Sequence, residues 1–488
     1  MRFWIAVHLP LIQLEALRPC WCEPGEYAVF DEDRVAALSS QAAAAGITLG
    51  MRRGGVATIA PSATLLERQP SKEDVARDAI MLALLQFTPE VAQVGQSDAV
   101  MDVTASLRLF GGHAALCRQV KALITKLGFS IKLGAGPAAL GAWLLAIAPA
   151  RRGGRRRRTI KPPTLARTLD RLPCLLLNSA VPHAEWLENI GCRTLGKLRA
   201  LPRAGLLRRT TEELVAELDR AYGALPDIFE WVVPPPTFHV RAELMERIEY
   251  ADAVMADTNR LVLQLVGWLA ALKLAVTRLA LGMEHERGRT AIPPTEIEVA
   301  LAEPSWREDH LMRLLKEKLS RVELSAPVIA VYLKALQFVD MMPATESLFP
   351  EPGGSASDFM RKMELIVARL GKDNVLAHVR LAEHRPGTAN CWMPVVDKRP
   401  KADVQQENAP RPFWILDKPI QLITRDNRPF YGSALKIVDG PEIIESGWWD
   451  DATEIRKYYV AQGTDGTCYW LFQDRSVDPI WHLHGFFA

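Results

Sequence analysis

The chain has 488 residues, 49% apolar and 24% charged, with a formal net charge of +2. That length implies several domains. The composition is that of an ordinary soluble globular protein, and so small a net charge excludes any partner argument from global balance. Local charge says more: residues 151–211 carry 15 Lys/Arg against 3 Asp/Glu, and residues 405–488 carry 8 against 12. A basic middle and a mildly acidic tail imply an anionic partner for the middle, nucleic acid fitting best. Seven scattered cysteines, an odd number with no C-x-x-C pair, read as reduced thiols of a cytosolic protein and exclude a disulfide scaffold.

The first apolar run, residues 3–9, predicts a strand and not a signal peptide. Residues 27–30 are a second short apolar run. Residues 35–45 are alanine-rich and predict a helix ending at Gly46, and residues 74–86 have helical apolar spacing. Residues 99–103 predict a strand, 114–127 a helix and 130–134 a strand. Residues 133–150 are uncharged and mimic a membrane span, but their glycines and prolines fit a strand, a turn at Gly136-Pro137 and a buried helix better. This order predicts mixed α/β structure with a sheet covered by helices.

Residues 151–163 lack hydrophobic periodicity and form a linker, whose arginines either sit on phosphates or make a solvated loop. Residues 186–198 have the pattern of a helix-hairpin-helix turning at Ile190-Gly191, where glycine permits the tight backbone. The amides of the following helix would face a phosphate, and Arg193, Lys197, Arg203, Arg208 and Arg209 would add charge. The bland alternative is a small helical subdomain with surface basics. Residues 241–250, 254–272, 274–284, 296–301, 306–322 and 328–336 predict βαββαβ, with Leu261, Leu265, Trp268, Leu269 and Leu272 on one face of the first helix. That topology packs two helices on one sheet face and leaves the other open.

Residues 341–354 are rich in Pro and Gly and should be exposed; in Thr345-Glu-Ser-Leu-Phe, Leu348 and Phe349 are the apolar pair that would fill a partner's pocket. Residues 357–385 predict one helix and a basic stretch, and residues 397–412 a polar linker. The 14 aromatics after position 412 are interrupted by turn signals and predict a small β-rich domain. Its aromatics either form the core, stack on bases or bind a protein, and its acidic balance favours protein over DNA. His482 and His484 alone are too few for a metal site.

Residues 97–112 read Ser-Asp-Ala-Val-Met-Asp-Val-Thr-Ala-Ser-Leu-Arg-Leu-Phe-Gly-Gly. They resemble the palm motif of Y-family (UmuC-like) translesion DNA polymerases, Ser-x-Asp-Glu-x-x-x-Asp, and the resemblance covers residues 1–340. In that family the Asp-Glu pair and an Asp of the first strand hold the catalytic metals. Here the pair is Ser97-Asp98, and His8 stands in the place of the first Asp. Two metals about 3.5–4 Å apart need several converging oxygens, so the resemblance implies a palm without its chemistry, Asp98 keeping at most a weak Mg²⁺. The family's triphosphate-gripping Tyr and Arg fall at Ser40 and Ala43, and its steric gate at Ile12 or Gln13.

The resemblance implies an α+β multidomain chain: palm and fingers over 1–163, a helix-hairpin-helix thumb over 164–235, a little finger over 236–340, a linker with a clamp-binding-like peptide over 341–412, and an aromatic β-rich partner domain over 413–488. Thr345 replaces the usual Gln of the clamp pentapeptide. The whole is similar to the inactive Y-family homologues of bacterial mutasomes. That implies a non-catalytic, nucleoid-associated cytoplasmic adaptor in SOS mutagenesis, without cofactor. It would bind primer-template DNA and the β sliding clamp, together with a RecA-like accessory protein (ImuA) and an error-prone C-family polymerase. Two alternatives remain at this level. One is an active polymerase using Asp98, Asp102 and a carboxylate such as Glu15; the other is a general nucleic-acid-binding protein.

Overall fold

Residues Trp4–Val7 are buried on both sides of the backbone, as a central strand covered on both faces requires. The computed structural model describes residues 2–149, 157–286, 292–341, 356–381, 383–395, 411–425, 427–448, 454–474 and 480–487. The fold is mixed α+β, and the chain divides into two compact units, Met1–Ser357 and Asp358–Ala488.

The first unit begins with β1 (Trp4–His8), α1 (Ile12–Glu15), β2 (Tyr27–Asp31), β3 (Arg34–Leu38), α2 (Ser40–Ala44), α3 (Arg53–Ile59), β4 (Thr64–Glu67), α4 (Pro70–Leu84), β5 (Val91–Val94), β6 (Asp98–Asp102), α5 (His113–Lys126), β7 (Lys132–Gly136) and α6 (Ala139–Ile147). An antiparallel sheet runs β5-β6-β1-β7, with Trp4 opposite both Asp102 and Gly136. A side chain at Gly134 would meet the Ala142 carbonyl at 1.9 Å, so α6 lies directly on β7. No helix among the described residues is long and apolar enough to cross a membrane.

The stretch 35–45 differs from its predicted helix. Arg34–Leu38 is a strand paired to β2, and only Ser40–Ala44 is helical, capped by the Ser39 hydroxyl, which accepts from the Ala42 amide at 3.1 Å. Val35 and Ala37 are buried while Arg34, Ala36 and Leu38 are less so, a period of two that alanine-richness masks.

Helices α7 (Pro162–Leu169), α8 (Ala184–Asn189), α9 (Leu195–Ala200), α10 (Arg203–Arg209) and α11 (Glu212–Tyr222) follow and share one core with α6 and the Trp4–Ala6 face of the sheet. Next come β8 (His239–Ile248), α12 (Met255–Leu272), β9 (Leu274–His285), β10 (Thr295–Ser305), α13 (Glu308–Leu319) and β11 (Val328–Asp340), the βαββαβ order expected. Their sheet runs β10-β9-β11-β8 and is antiparallel throughout. Leu272, expected on the buried stripe of α12, is exposed, because the helix ends there with Lys273 in the left-handed region. The rest of α12 is buried on two sides. One side holds Leu261, Leu265 and Trp268, and on the other Gly267 touches the Leu82 carbonyl of α4.

The second unit holds a helix (Ala356–Leu370), a hairpin (Leu376–Arg380 with Asn390–Pro394) and a five-stranded antiparallel sheet. In spatial order its strands are Trp414–Gln421, Trp481–Phe486, Cys468–Asp474, Glu454–Gln462 and Lys436–Ser446. Tyr458, Trp470 and Phe472 are buried on one face, and Tyr469, Leu471 and Trp481 belong to a separate core cluster.

Candidate functional site

Strands β1 and β6 run antiparallel, so the end of one meets the start of the other and His8 faces Asp98. The His8 Nδ1 lies 3.0 and 2.9 Å from the two Asp98 carboxylate oxygens. The Leu9 amide donates to Oδ1 at 3.1 Å, and the Trp143 indole, from α6, donates to Oδ2 at 2.7 Å. Asp98 is 7% exposed. A buried carboxylate needs such donors, and here both oxygens are engaged by the protein's own groups. Ser97 lies in the turn before β6, half-buried.

The other carboxylates weighed for a metal do not join it. Asp102 is four residues along the same strand, roughly 13 Å away. Its Oδ1 accepts from the Thr104 amide at 2.9 Å, and Arg2 is 3.6 Å from its Oδ2. Glu15 is buried on α1 and accepts from the Ser130 amide at 2.7 Å; burial pushes its carboxyl up, opposed by the bonds from Ser130. Among the described residues no group of three or more His, Cys, Asp or Glu is placed to hold a metal. Ser40 and Ala43 are exposed on α2. Ile12 is buried and Gln13 half-buried on α1.

Asp98→Ala should therefore act on stability. It leaves three donors without an acceptor, each orphan costing about 1–3 kcal/mol, so a loss of about 3 kcal/mol is expected in urea unfolding. If Asp98 were chiefly a metal ligand, Mg²⁺ would stabilise the wild type and not the variant; equal curves with and without Mg²⁺ are expected.

The hairpin forms where the sequence places it, between α8 and α9, with Gly191 at φ +70° and Ile190 exposed. Its amides differ from expectation. Leu195 and Gly196, the first residues of α9, donate to Leu172 and Asp170 carbonyls at 2.9 and 3.2 Å, and the Lys197 amide goes to the Thr194 hydroxyl at 3.3 Å. Gly191 and Cys192 donate back to α8. These donors are spent inside the fold because α9 docks end-on against the 170–172 turn, a tertiary contact with no local signature. What remains for a polyanion is side-chain charge. Arg193 pairs with Glu188 at 3.4 Å, Arg203 with Asp219, and the Lys197 ammonium donates to the Gly191 carbonyl at 3.0 Å. Arg208 and Arg209 are exposed at the end of α10.

Of the arginine run, 151–156 lie outside the described residues. Arg157 closes the C-terminus of α6, donating to the carbonyls of Leu145, Ala146 and Ala148 at 2.6–3.0 Å. Leu348 and Phe349 lie outside the described residues as well. Trp143 was missed in the sequence because it is 45 positions from Asp98 and looks like any core residue of an apolar helix.

Residues 18–146 match the impB/mucB/samB (IMS) family. Protein ImuB of Caulobacter vibrioides, from strains NA1000 and ATCC 19089, is 24% identical over 470 residues, covering 91% of this chain and 100% of the relative. The chain is an ImuB homologue. Among solved structures, an insertion ternary complex of Dbh DNA polymerase is 16% identical, with a TM-score of 0.40, covering 68% of this homologue and 98% of Dbh. A Y-family Dbh–Dpo4 chimera is 15% identical, with a TM-score of 0.38 over 69% and 99%. The likeness to ImuB spans both units, whereas the IMS match stops within α6.

Proposed function

We propose that this ImuB homologue is a non-catalytic adaptor of SOS-induced translesion DNA synthesis. It holds primer-template DNA, binds the β sliding clamp through Leu348 and Phe349, and with ImuA recruits an error-prone C-family polymerase. The observation that carries the reading is the closed shell around Asp98. His8, the Leu9 amide and Trp143 occupy the carboxylate that a catalytic ion would need, and the other two candidate carboxylates point elsewhere. An active polymerase with substituted ligands would need all three on common ions. Tethering to a clamp raises the local concentration of a recruited enzyme without any chemistry by the tether.

The test pairs primer extension, with Mg²⁺ or Mn²⁺ and all four dNTPs, with a gel shift on the same primer-template. A shift without extension is expected. Extension that vanishes in Asp98→Asn would make the chain a polymerase. On clamp-loaded DNA, Leu348→Ala with Phe349→Ala should abolish clamp retention and leave the shift unchanged.

A further inference from the structure

The open face of the β10-β9-β11-β8 sheet is the surface on which a βαββαβ domain would meet a duplex, since α12 and α13 cover the other face. Strand register sets what it shows. One row runs Glu296, Gly282, Tyr332, Arg241, and the next Glu298, Ala280, Lys334, His239. Tyr332 lies flat across Gly282, where a side chain would meet its ring at 1.9 Å, and so fills the centre of the face. The Arg and Lys of these rows, and Arg278 in the next row opposite Ala300, each already have a carboxylate. The Arg241 guanidinium holds Glu284 through bonds of 2.9–3.1 Å and reaches Glu243 at 3.2 Å. Arg278 holds Glu298 at 2.6 Å, and Lys334 lies 3.7 Å from Glu296. Lys72 of α4 lies 3.7 Å from Glu243, so among the described residues four cations stand against these four carboxylates. The Tyr332 phenol reports the same field: burial pushes its pKa up, and the Glu296 and Glu284 charges push it further.

Exposed ion pairs are weak and easily broken. A phosphate can displace a carboxylate from its cation, but the displaced carboxylate stays on the sheet beside the phosphate, and that repulsion cancels what the cation offers. Counterion release, the main source of affinity for DNA, needs cations that are not already neutralised.

We infer that Glu243, Glu284, Glu296 and Glu298 hold down the DNA affinity of this sheet face, so that the little-finger-like domain rests on primer-template without gripping it. The inference rests on the DNA-holding reading above. A face of this kind suits an adaptor that must yield the same DNA to the enzyme it brings.

The experiment measures primer-template affinity of the full chain by fluorescence anisotropy from low to moderate salt. The comparison is between wild type, Glu296→Gln with Glu298→Gln, Arg278→Gln with Lys334→Gln, and Arg208→Ala with Arg209→Ala. The isosteric glutamines keep hydrogen bonding, and thermal melts check that each variant is folded. Removing the two carboxylates should tighten binding about ten-fold near 0.1 M salt. It should also steepen the slope of log K against log salt by about 2, one step of ~0.9 for each cation released. Removing Arg278 and Lys334 should weaken binding instead, because it leaves Glu298 and Glu296 uncompensated beside the phosphates. Wild-type affinity and slope in the glutamate variant, with binding weakened only in the α10 variant, would overturn the inference and leave the DNA-holding reading intact. A chain that binds no DNA in any form would overturn both.

Discussion

Leucine at position 267 is expected to separate the βαββαβ domain from the rest of the first unit. A side chain there would have its Cβ 2.0 Å from the Leu82 carbonyl and 2.9 Å from the Ala83 Cα, both backbone atoms. Helical backbone in the last turn of α4 cannot move aside as a flexible side chain would, so the α4–α12 crossing itself must shift. Overpacking a tight crossing costs about 1–3 kcal/mol, and the upper end applies where a whole helix is displaced. Contacts beyond the crossing would loosen with it: the Lys126–Glu308 pair at 2.5 Å between α5 and α13, and the Arg260 guanidinium over the Trp21 ring at 5.6 Å. Hydrogen exchange should rise in peptides from both α4 and α12. Gly205→Ala is the control, since nothing lies within 4 Å of its Cβ position in α10. There alanine should stabilise the helix by about 0.5–1 kcal/mol. If Gly267→Leu melts like the control, the helix crossing does not join the two parts.

Acidification from pH 6.5 to 4 should destabilise the second unit by about 3 kcal/mol. Burial, aided by the Arg456 charge, lowers the His484 pKa from its ordinary 6.5 to about 4. The ring stacks on Trp470 at 5.7 Å, and its Nδ1 lies 2.9 Å from the Tyr458 hydroxyl, which burial pushes up to about 12 so that it stays protonated. Above pH 6.5 the imidazole is neutral in both states and the full stability is present. Between 6.5 and 4 the unfolded chain binds a proton that the folded chain refuses, so stability falls with pH; below 4 this contribution levels off. The total follows from a shift of about two and a half units at 1.36 kcal/mol each. Glu383 acts in a lower window: Arg385 beside it holds its carboxyl at about 2, so its stabilisation is lost only as pH falls from about 4.5 to 2. Hydrogen exchange in Glu454–Gln462 and Cys468–Asp474, corrected for intrinsic rates, should show the first window. His484→Phe should abolish it. A slope that survives in the phenylalanine variant would assign the titration to another group.

Elements whose pattern is local were legible. The strand of β1, the helices α5 and α6, and the whole βαββαβ order follow from apolar period and length. The strand at Arg34–Leu38 was not, because alanine carries a helix signal that pairing to β2 overrides. At the candidate site, the juxtaposition of His8 and Asp98 was implied by the motif, but the third donor was not. The hairpin at Gly191 was visible from its glycine, yet the use of its amides depends on the carbonyls of Asp170 and Leu172. Glu296 and Glu298 showed only strand alternation, and their pairing with Lys334 and Arg278 exists only once β9 and β11 are in register.

The shell around Asp98 also bears on reversion. Aspartate at position 8 would set a second carboxylate against Asp98 in the space of an imidazole now 2.9 Å away. With no ion between them, two buried like charges force one to keep its proton, and the pair weakens the sheet it sits in. Aspartate at 97 adds a third charge, and Trp143 still contributes its indole to Asp98. Each single step toward a metal centre thus lowers stability before any ion can repay it. An interior built this way would gain a metal centre only if positions 8, 97 and 143 changed together.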